Sequence, residues 1–247
     1  MFGPERLMLI AELPAAQALA THLDTYRIGR DVEVSDRSNE NALLSVIGPA
    51  TRSFLESPSI GNEGSHAPIS IEGISCTALG TPEGIDLICS SADREPLISA
   101  LQMKGLVEVP EEAAEIIRVE AGRPRFGFEL DQSVMPAEVG IVERAVNFEK
   151  GCYLGQEPVA RLHYKGRPTR LLRGLRLSRP AKRGETISSE DRMLGEISTP
   201  CVSPALGPIA LAVIRREAEL GGTVSVGDDG ISAEVVELPL RNTGDLH

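Results

Sequence analysis

A cysteine between two glycines is the most chemically suggestive feature of this sequence. The stretch runs E-K-G-C-Y-L-G-Q-E-P-V-A-R from Glu149 to Arg161. Lys150 lies two residues before Cys152, and Gly155 begins a predicted turn into a short helix. A thiol close to a cation and to a helix N-terminus is more readily ionised to the reactive thiolate. Cys152 is therefore a candidate reactive thiol, with Lys150 as the group that favours the thiolate.

A second candidate is a carboxylate on the inward face of a predicted helix. Pro110 and the two glutamates after it are a typical helix start, and the apolar stripe of E-E-A-A-E-I-I-R-V-E continues to Glu120 before Gly122 ends the helix. A buried carboxylate is costly unless it is paired. We expect Glu120 either to pair with an arginine such as Arg118 or Arg125, or to meet a ligand that carries N–H donors.

The other candidate groups point away from nucleophilic hydrolysis and metal binding. His163 is the one base close to Cys152 in sequence, but L-H-Y-K predicts a strand there rather than a catalytic dyad. Cys76 and Cys89 lie in apolar strand-like runs and are predicted to be core residues. Cys201 completes the four cysteines, and none of them forms a C-x-x-C pair. We expect neither a disulfide framework nor a metal site built from this chain alone.

Charge is unevenly distributed along the 247 residues. The net charge is −11, which argues against direct nucleic-acid binding. The segment 158–184 nevertheless holds nine of the 25 basic residues and no acidic one. This basic island indicates a specific anionic ligand, such as an acidic partner, RNA or a chain of carboxylates. A solvated strand face with outward arginines explains it equally well.

The elements that would hold these residues alternate between short helices and strands in the first half of the chain. We predict a helix from Pro14 to Tyr26, a short strand at Val32–Val34, strands at 42–47, 69–79 and 85–89, and helices at 49–55 and 93–104. This alternation is typical of an α+β, ferredoxin-like layout. From Leu171 onward, Gly, Pro, Asp and Ser separate five short strand-like runs: L-L-R-G-L-R-L, L-G-E-I-S, I-A-L-A-V-I, T-V-S-V-G and I-S-A-E-V-V-E-L. These runs predict a small antiparallel β-barrel. The predicted domains are therefore 1–170 and 171–247.

The residues 150–161, K-G-C-Y-L-G-Q-E-P-V-A-R, resemble the K-G-C-Y-x-G-Q-E signature of the YgfZ family, folate-binding proteins related to the glycine-cleavage T-protein. The segment R-V-E-A-G-R-P-R-F-G-F-E-L-D, from Arg118 to Asp131, is similar to that family's R-x-E-x-G-x-x-x-x-G-x-E-L-D segment. The strand-rich tail, including G-P-I-A-L-A-V-I-R-R-E, resembles its C-terminal barrel. The resemblance extends from about Leu13 to Leu240.

This resemblance implies an aminomethyltransferase-like folate-binding fold, tetrahydrofolate or a derivative as cofactor, and Glu120 as the contact to the pterin ring. It also implies a folate-dependent role in iron–sulfur cluster assembly or repair, with iron–sulfur client proteins as partners and indirect support of tRNA modification. The implied working groups are Cys152 and Lys150. The implied folate-binding set is Glu120, Arg118, Tyr153, Gln156, Glu157 and Arg161.

The alternative is a true aminomethyltransferase of glycine cleavage, which transfers a one-carbon unit to tetrahydrofolate. The family's catalytic aspartate segment has no counterpart that we find in this sequence, and its N-terminal strand would precede Leu13. We therefore expect an incomplete N-terminal part of the folate region. No apolar run approaches the roughly 20 residues of a membrane span, and no signal peptide is evident, so the predicted location is cytoplasmic.

Overall fold

The computed structural model describes residues 6–54, 60, 63–190 and 192–241. The chain divides into two compact units, the first ending at Pro110 and the second beginning at Glu111. Residues 111–169 thus group with the strand-rich tail. Among the described residues, no helix is both long and apolar enough to cross a membrane.

The first unit contains a four-stranded antiparallel sheet with short helices. Its elements are α1 (Leu13–Tyr26), β1 (Asn41–Ile47), α2 (Thr51–Phe54), β2 (His66–Ile71), β3 (Ile74–Gly80), β4 (Gly84–Ser90) and α3 (Arg94–Met103). The strand order is β1-β4-β3-β2. The core lies where α3 packs on this sheet, and it includes Leu97 and Leu87, which are fully buried. Cys76 and Cys89 are buried in this core, as predicted.

Two predictions for the first unit are wrong in detail. Residues 32–34 form no strand. The run predicted as one strand from Ile69 to Leu79 is a hairpin, because Glu72 and Gly73 both have positive φ, 50° and 83°, and turn the chain between β2 and β3. Only glycine adopts such a conformation at little cost, so Gly73 is what permits this tight reversal. Leu55, the predicted end of the second helix, lies outside the described residues.

The described residues of the second unit form three helices followed by a curled antiparallel sheet. The helices are α4 (Glu111–Glu120), α5 (Val142–Ala145) and α6 (Gln156–Lys165). The strands are β5 (Arg170–Leu177), β6 (Thr186–Ser189), β7 (Arg192–Glu196), β8 (Thr199–Ser203), β9 (Gly207–Arg215), β10 (Thr223–Val226) and β11 (Ile231–Val236). Their order is β7-β6-β10-β11-β5-β9-β8, and the sheet curls so that β7 approaches β9. The predicted mixed α and β class with a C-terminal antiparallel barrel-like sheet is confirmed.

Two apolar clusters hold the second unit together. One fills the concave side of the curled sheet, around residues such as Leu175, Val226 and Val235. The other lies between α4 and the strands β5 and β9, where Val119, Ile209 and Leu211 are fully buried. This second cluster fixes the C-terminal end of α4 against the sheet, and it is therefore the packing that positions Glu120.

Several strand predictions for this unit need correction. The strands β6 and β8 were not predicted, because T-I-S-S and T-P-C-V-S are too short and too polar to stand out as apolar runs. His163 lies on α6 and not on a strand. The short run L-H-Y-K suggests the alternation of a strand, but it is the last turn of a helix that begins after Gly155 and ends before Gly166.

The basic island of residues 158–184 is divided by the structure. Arg170 pairs with Glu138, and Arg179 lies 3.6 Å from Asp229. The cations on and just after α6 are exposed and have no carboxylate partner among the described residues: Arg161, Lys165 and Arg167. Two cations of the strand part, Arg170 and Arg179, thus have carboxylate partners within the protein, and the α6 part remains available to an anionic ligand.

Candidate functional site

The carboxylate of Glu120 is buried at the last residue of α4, with only 6% of the residue exposed. The hydroxyl of Ser203 donates a hydrogen bond to its Oε1. Arg241 Nη1 lies 3.8 Å from its Oε2, and the Arg241 amide donates to the Glu120 carbonyl at 3.1 Å. Of the two expected pairing partners, Arg118 and Arg125, neither contacts Glu120 in the described part of the chain. The partners come from β8 and from the segment that follows β11.

The end of α4 is built to hold this carboxylate in place. Gly122 has a φ of 70°, and a Cβ there would meet Leu238 Cβ at 2.8 Å. A residue with a side chain would thus be strained and would also clash, which explains why glycine stands directly after the helix. The Arg123 amide then donates to the Arg118 carbonyl at 3.1 Å, a bond that closes the last turn.

Arg118 stabilises the structure beside Glu120 without touching it. Its guanidinium donates to both oxygens of Glu115, at 2.7 and 2.9 Å, to Glu129 Oε2 at 3.0 Å and to the Thr199 hydroxyl at 2.9 Å. Burial alone would raise the pKa of Glu115, but the hydrogen bonds and charge of Arg118, with Arg125, bring it below its ordinary value. Arg118 is therefore the centre of an internal ion network, so its predicted role in folate binding stays a prediction.

Strand β8 presents three residues of one face to this region, because alternate residues of a strand share a face. Thr199 donates to Glu129 and Ser203 donates to Glu120. Cys201 lies between them, and burial, assisted by the negative charge of Glu120, raises the pKa of its thiol to about 11. The β8 face is thus a row of two hydroxyl donors separated by a thiol that stays protonated.

The Cys152 loop is a different environment. Cys152 is exposed, and it lies four residues before the start of α6. Gly155, with a φ of 83°, turns the chain into that helix. Lys150 Nζ lies 4.5 Å from the centre of the Tyr153 ring, a cation–π contact. The loop therefore brings Lys150 and Tyr153 together beside an accessible thiol.

The Tyr153 hydroxyl is buried and has no hydrogen-bond partner among the described residues. Gln156 is half-buried, whereas Glu157 and Arg161 are exposed on α6. His163, the base considered near Cys152, stacks on the Phe148 ring with centroids 4.2 Å apart. Within the described residues, no hydrogen bond, ion pair or ring contact joins this loop to Glu120. The predicted site residues thus form two groups, one at the end of α4 and one before and on α6.

Sequence reasoning missed four residues of this unit: Glu129, Glu138, Ser203 and Arg241. Glu129 and Glu138 are 1% and 6% exposed, and each is neutralised by an arginine. A signal for Glu129 existed, since F-G-F-E-L places a lone carboxylate among apolar residues. Ser203 and Arg241 carry no local signal, because what distinguishes them is contact with a helix far away in sequence.

The sequence of this chain is similar to those of glycine cleavage proteins. Residues 170–241 match the glycine cleavage T-protein C-terminal barrel domain. The chain is 31% identical to an aminomethyltransferase of Streptomyces avermitilis, over 94% of this chain and 68% of that protein. It is 29% identical to an Arabidopsis thaliana protein named as a chloroplastic transferase, over 94% of this chain and 56% of that protein.

The fold is likewise similar to a solved structure. The glycine cleavage system aminomethyltransferase T from Bartonella henselae superposes with a TM-score of 0.78 at 19% identity, covering 92% of this chain and 66% of that chain. The predicted aminomethyltransferase-like fold is confirmed by this likeness. The chain spans between about half and two thirds of the length of these relatives.

Proposed function

The chain belongs to the aminomethyltransferase family of the glycine cleavage T-protein, and from this membership we propose that it is a folate-dependent accessory factor for iron–sulfur cluster assembly or repair. Its clients would be iron–sulfur proteins, and its effect on tRNA modification would be indirect, through those clients. The observation that carries the proposal is the exposed thiol of Cys152 within K-G-C-Y-L-G-Q-E, a stretch that resembles the K-G-C-Y-x-G-Q-E signature of the YgfZ branch.

The residues at the end of α4 fit a folate. The pterin ring of a folate offers an edge with two N–H donors, and a carboxylate that accepts both makes a strong charge-assisted pair. The Oε2 atom of Glu120 has the Arg241 guanidinium at 3.8 Å, which is beyond hydrogen-bond length, so it retains its capacity to accept. Glu120 would therefore hold the pterin.

The second group of residues would supply the chemistry of the thiol. Cys152 would be the working thiol, and Lys150 would favour its thiolate form. The exposed cation Arg161 on α6, with Gln156 and Glu157 in the first turn, would contact the ligand from that helix. Bound tetrahydrofolate would supply a carrier for one-carbon groups.

Binding of folinic acid tests the pterin contact. We expect Glu120→Gln to weaken binding about 10- to 100-fold, because an amide cannot accept from two donors as a carboxylate does. Glu112→Gln is the matched control, since Glu112 is an exposed glutamate on the same helix. Equal affinities of the wild type and Glu120→Gln, measured by titration calorimetry, would remove Glu120 from the site.

The alternative function is the transfer of the aminomethyl carbon to tetrahydrofolate in glycine cleavage. The names of the relatives favour it, since the Streptomyces avermitilis protein is an aminomethyltransferase. An assay for methylenetetrahydrofolate with aminomethyl-lipoyl carrier protein distinguishes the two functions. We expect no turnover, and turnover that survives Cys152→Ala would favour the aminomethyltransferase.

A further inference from the structure

The hydrogen bonds of Ser203 fix the direction in which its hydroxyl proton points. Ser203 is 2% exposed at the end of β8. Its Oγ accepts hydrogen bonds from the amides of Ala205 and Leu206, both at 3.0 Å. A serine hydroxyl has two acceptor sites and one proton. With both acceptor sites occupied, the proton is left for Glu120 Oε1, to which the hydroxyl donates.

Glu120 needs such a donor because its position opposes a negative charge. It is buried, and it stands at the C-terminal end of α4, where the helix dipole disfavours a carboxylate. The Ser203 bond compensates part of this cost and holds one oxygen. The other oxygen lies 3.8 Å from Arg241 and receives no closer donor among the described residues. The carboxylate is therefore oriented and still able to accept from a ligand.

We propose that Ser203 is a positioning residue that orients the Glu120 carboxylate for a folate. The inference rests on the proposed function, because it takes Glu120 as the pterin contact. Ser203 does not itself touch the ligand in this proposal. Its effect on affinity passes through Glu120 alone.

Thr199 provides a matched control on the same strand and the same face. It is also buried, and its hydroxyl donates to a buried glutamate, but that glutamate is Glu129. Thr199→Val removes a hydroxyl–carboxylate bond of the same kind, together with the bond that the hydroxyl accepts from Arg118. Ser203→Ala likewise removes the acceptor of two backbone amides, so the two changes are expected to lower the thermal stability by similar amounts. Only the Ser203 change should alter the affinity for the folate.

A double-mutant cycle with folinic acid tests the proposal. We expect Ser203→Ala to raise the Kd about fivefold, the net worth of one hydrogen bond, and to have no further effect in a Glu120→Gln background. Ser203→Cys, which keeps a weaker donor, should give an intermediate loss. Thr199→Val should leave the Kd within about twofold of the wild type, since Glu120 is untouched.

A second measurement separates orientation from general damage. The affinity ratio between a folate and its analogue with a methyl group in place of the 2-amino group should fall in Ser203→Ala and stay unchanged in Thr199→Val. Additive effects of Ser203→Ala and Glu120→Gln, or equal effects of the two hydroxyl variants, would overturn the inference alone. Absence of folate binding by the wild type would overturn the proposed function and the inference together.

Discussion

Cys152 differs from the other three cysteines in its surroundings. It is exposed, whereas burial raises the pKa of the Cys76 and Cys201 thiols to about 11 and also raises the pKa of Cys89. At pH 7 a thiol with a pKa of about 11 is thiolate in only about one molecule in ten thousand, and only the thiolate reacts with alkylating agents. Burial also restricts access to Cys76 and Cys89, and Cys201 is half-buried.

We therefore expect iodoacetamide at pH 7 to modify Cys152 at least about tenfold faster than Cys76, Cys89 or Cys201, because their raised pKa values lower their thiolate content and Cys152 is the exposed thiol. Peptide mass spectrometry over a time course measures the four rates. If Lys150 favours the thiolate, Lys150→Ala should bring the alkylation rate of Cys152 closer to the rates of the other three cysteines. Uniform rates across the four cysteines would contradict this account of the loop.

For Glu120, the sequence predicts the position on the helix but not the residues that contact its carboxylate. The stripe of α4 predicts that Glu120 faces inward, and Gly122 predicts the end of the helix; both follow from local spacing. The partners of Glu120 do not, because Ser203 is 83 residues away in sequence and its role depends on how β8 packs on α4. Arg118 is the nearer arginine, but helix geometry gives it Glu115, three residues before it.

At the scale of elements, an ion pair between the buried carboxylate of Glu138 and the half-exposed Arg170 connects the loop before α5 to strand β5. Arg170 donates to both carboxylate oxygens of Glu138, at 2.9 and 3.0 Å, and the Met135 amide donates to Glu138 at 2.9 Å. The Glu138 carbonyl in turn accepts from Leu172 at 2.7 Å. This clamp attaches the loop segment of the second unit to its sheet.

Glu138→Ala should lower the free energy of unfolding by about 1–2 kcal/mol, because the Met135 amide loses its acceptor and Arg170 loses its carboxylate, while solvent screens the half-exposed guanidinium. Asp229→Ala is the control, since its pair with Arg179 is exposed on both sides and should contribute almost nothing. Urea unfolding curves measure both changes. Equal effects of the two variants would show that the clamp does not stabilise the unit.

A second element, the inner strand β4, carries Asp86, a carboxylate whose charged form is disfavoured by the fold. Burial raises the pKa of Asp86 above its ordinary 3.8, and the hydrogen bond from Ser45 at 2.6 Å offsets this only in part. The folded state thus binds the proton more tightly than the unfolded state. Between 3.8 and the folded-state pKa, the stability falls as pH rises.

Asp86→Asn should therefore stabilise the protein at pH 7, and the gain should shrink as the pH approaches 3.8. Asp36→Asn is a control of opposite sign, because hydrogen bonds from Ser38 lower the pKa of Asp36 and favour its charged form in the folded state. Denaturation curves at several pH values compare the variants with the wild type. A destabilised Asp86→Asn protein at pH 7 would contradict the assignment.

At the scale of the whole molecule, local sequence patterns predict the fold class and single candidate residues, but they do not predict tertiary contacts. Apolar periodicity and turn residues predict the fold class and most strands, including β5, β9 and β11. They fail at β6 and β8, whose short polar runs become strands only because neighbouring strands offer backbone partners. Local signals likewise identify Cys152 and Glu120, but the contacts that orient Glu120 arise only from the tertiary packing of the second unit.

Complementation of a YgfZ-deficient cell tests the central claim most directly. Cys152→Ala and Lys150→Ala should both fail to restore activity of iron–sulfur enzymes, while melting temperatures of the purified variants stay close to that of the wild type because both residues are exposed. Lys182→Ala, which changes an exposed cation outside the signature, should complement fully. Full complementation by Cys152→Ala would contradict the account.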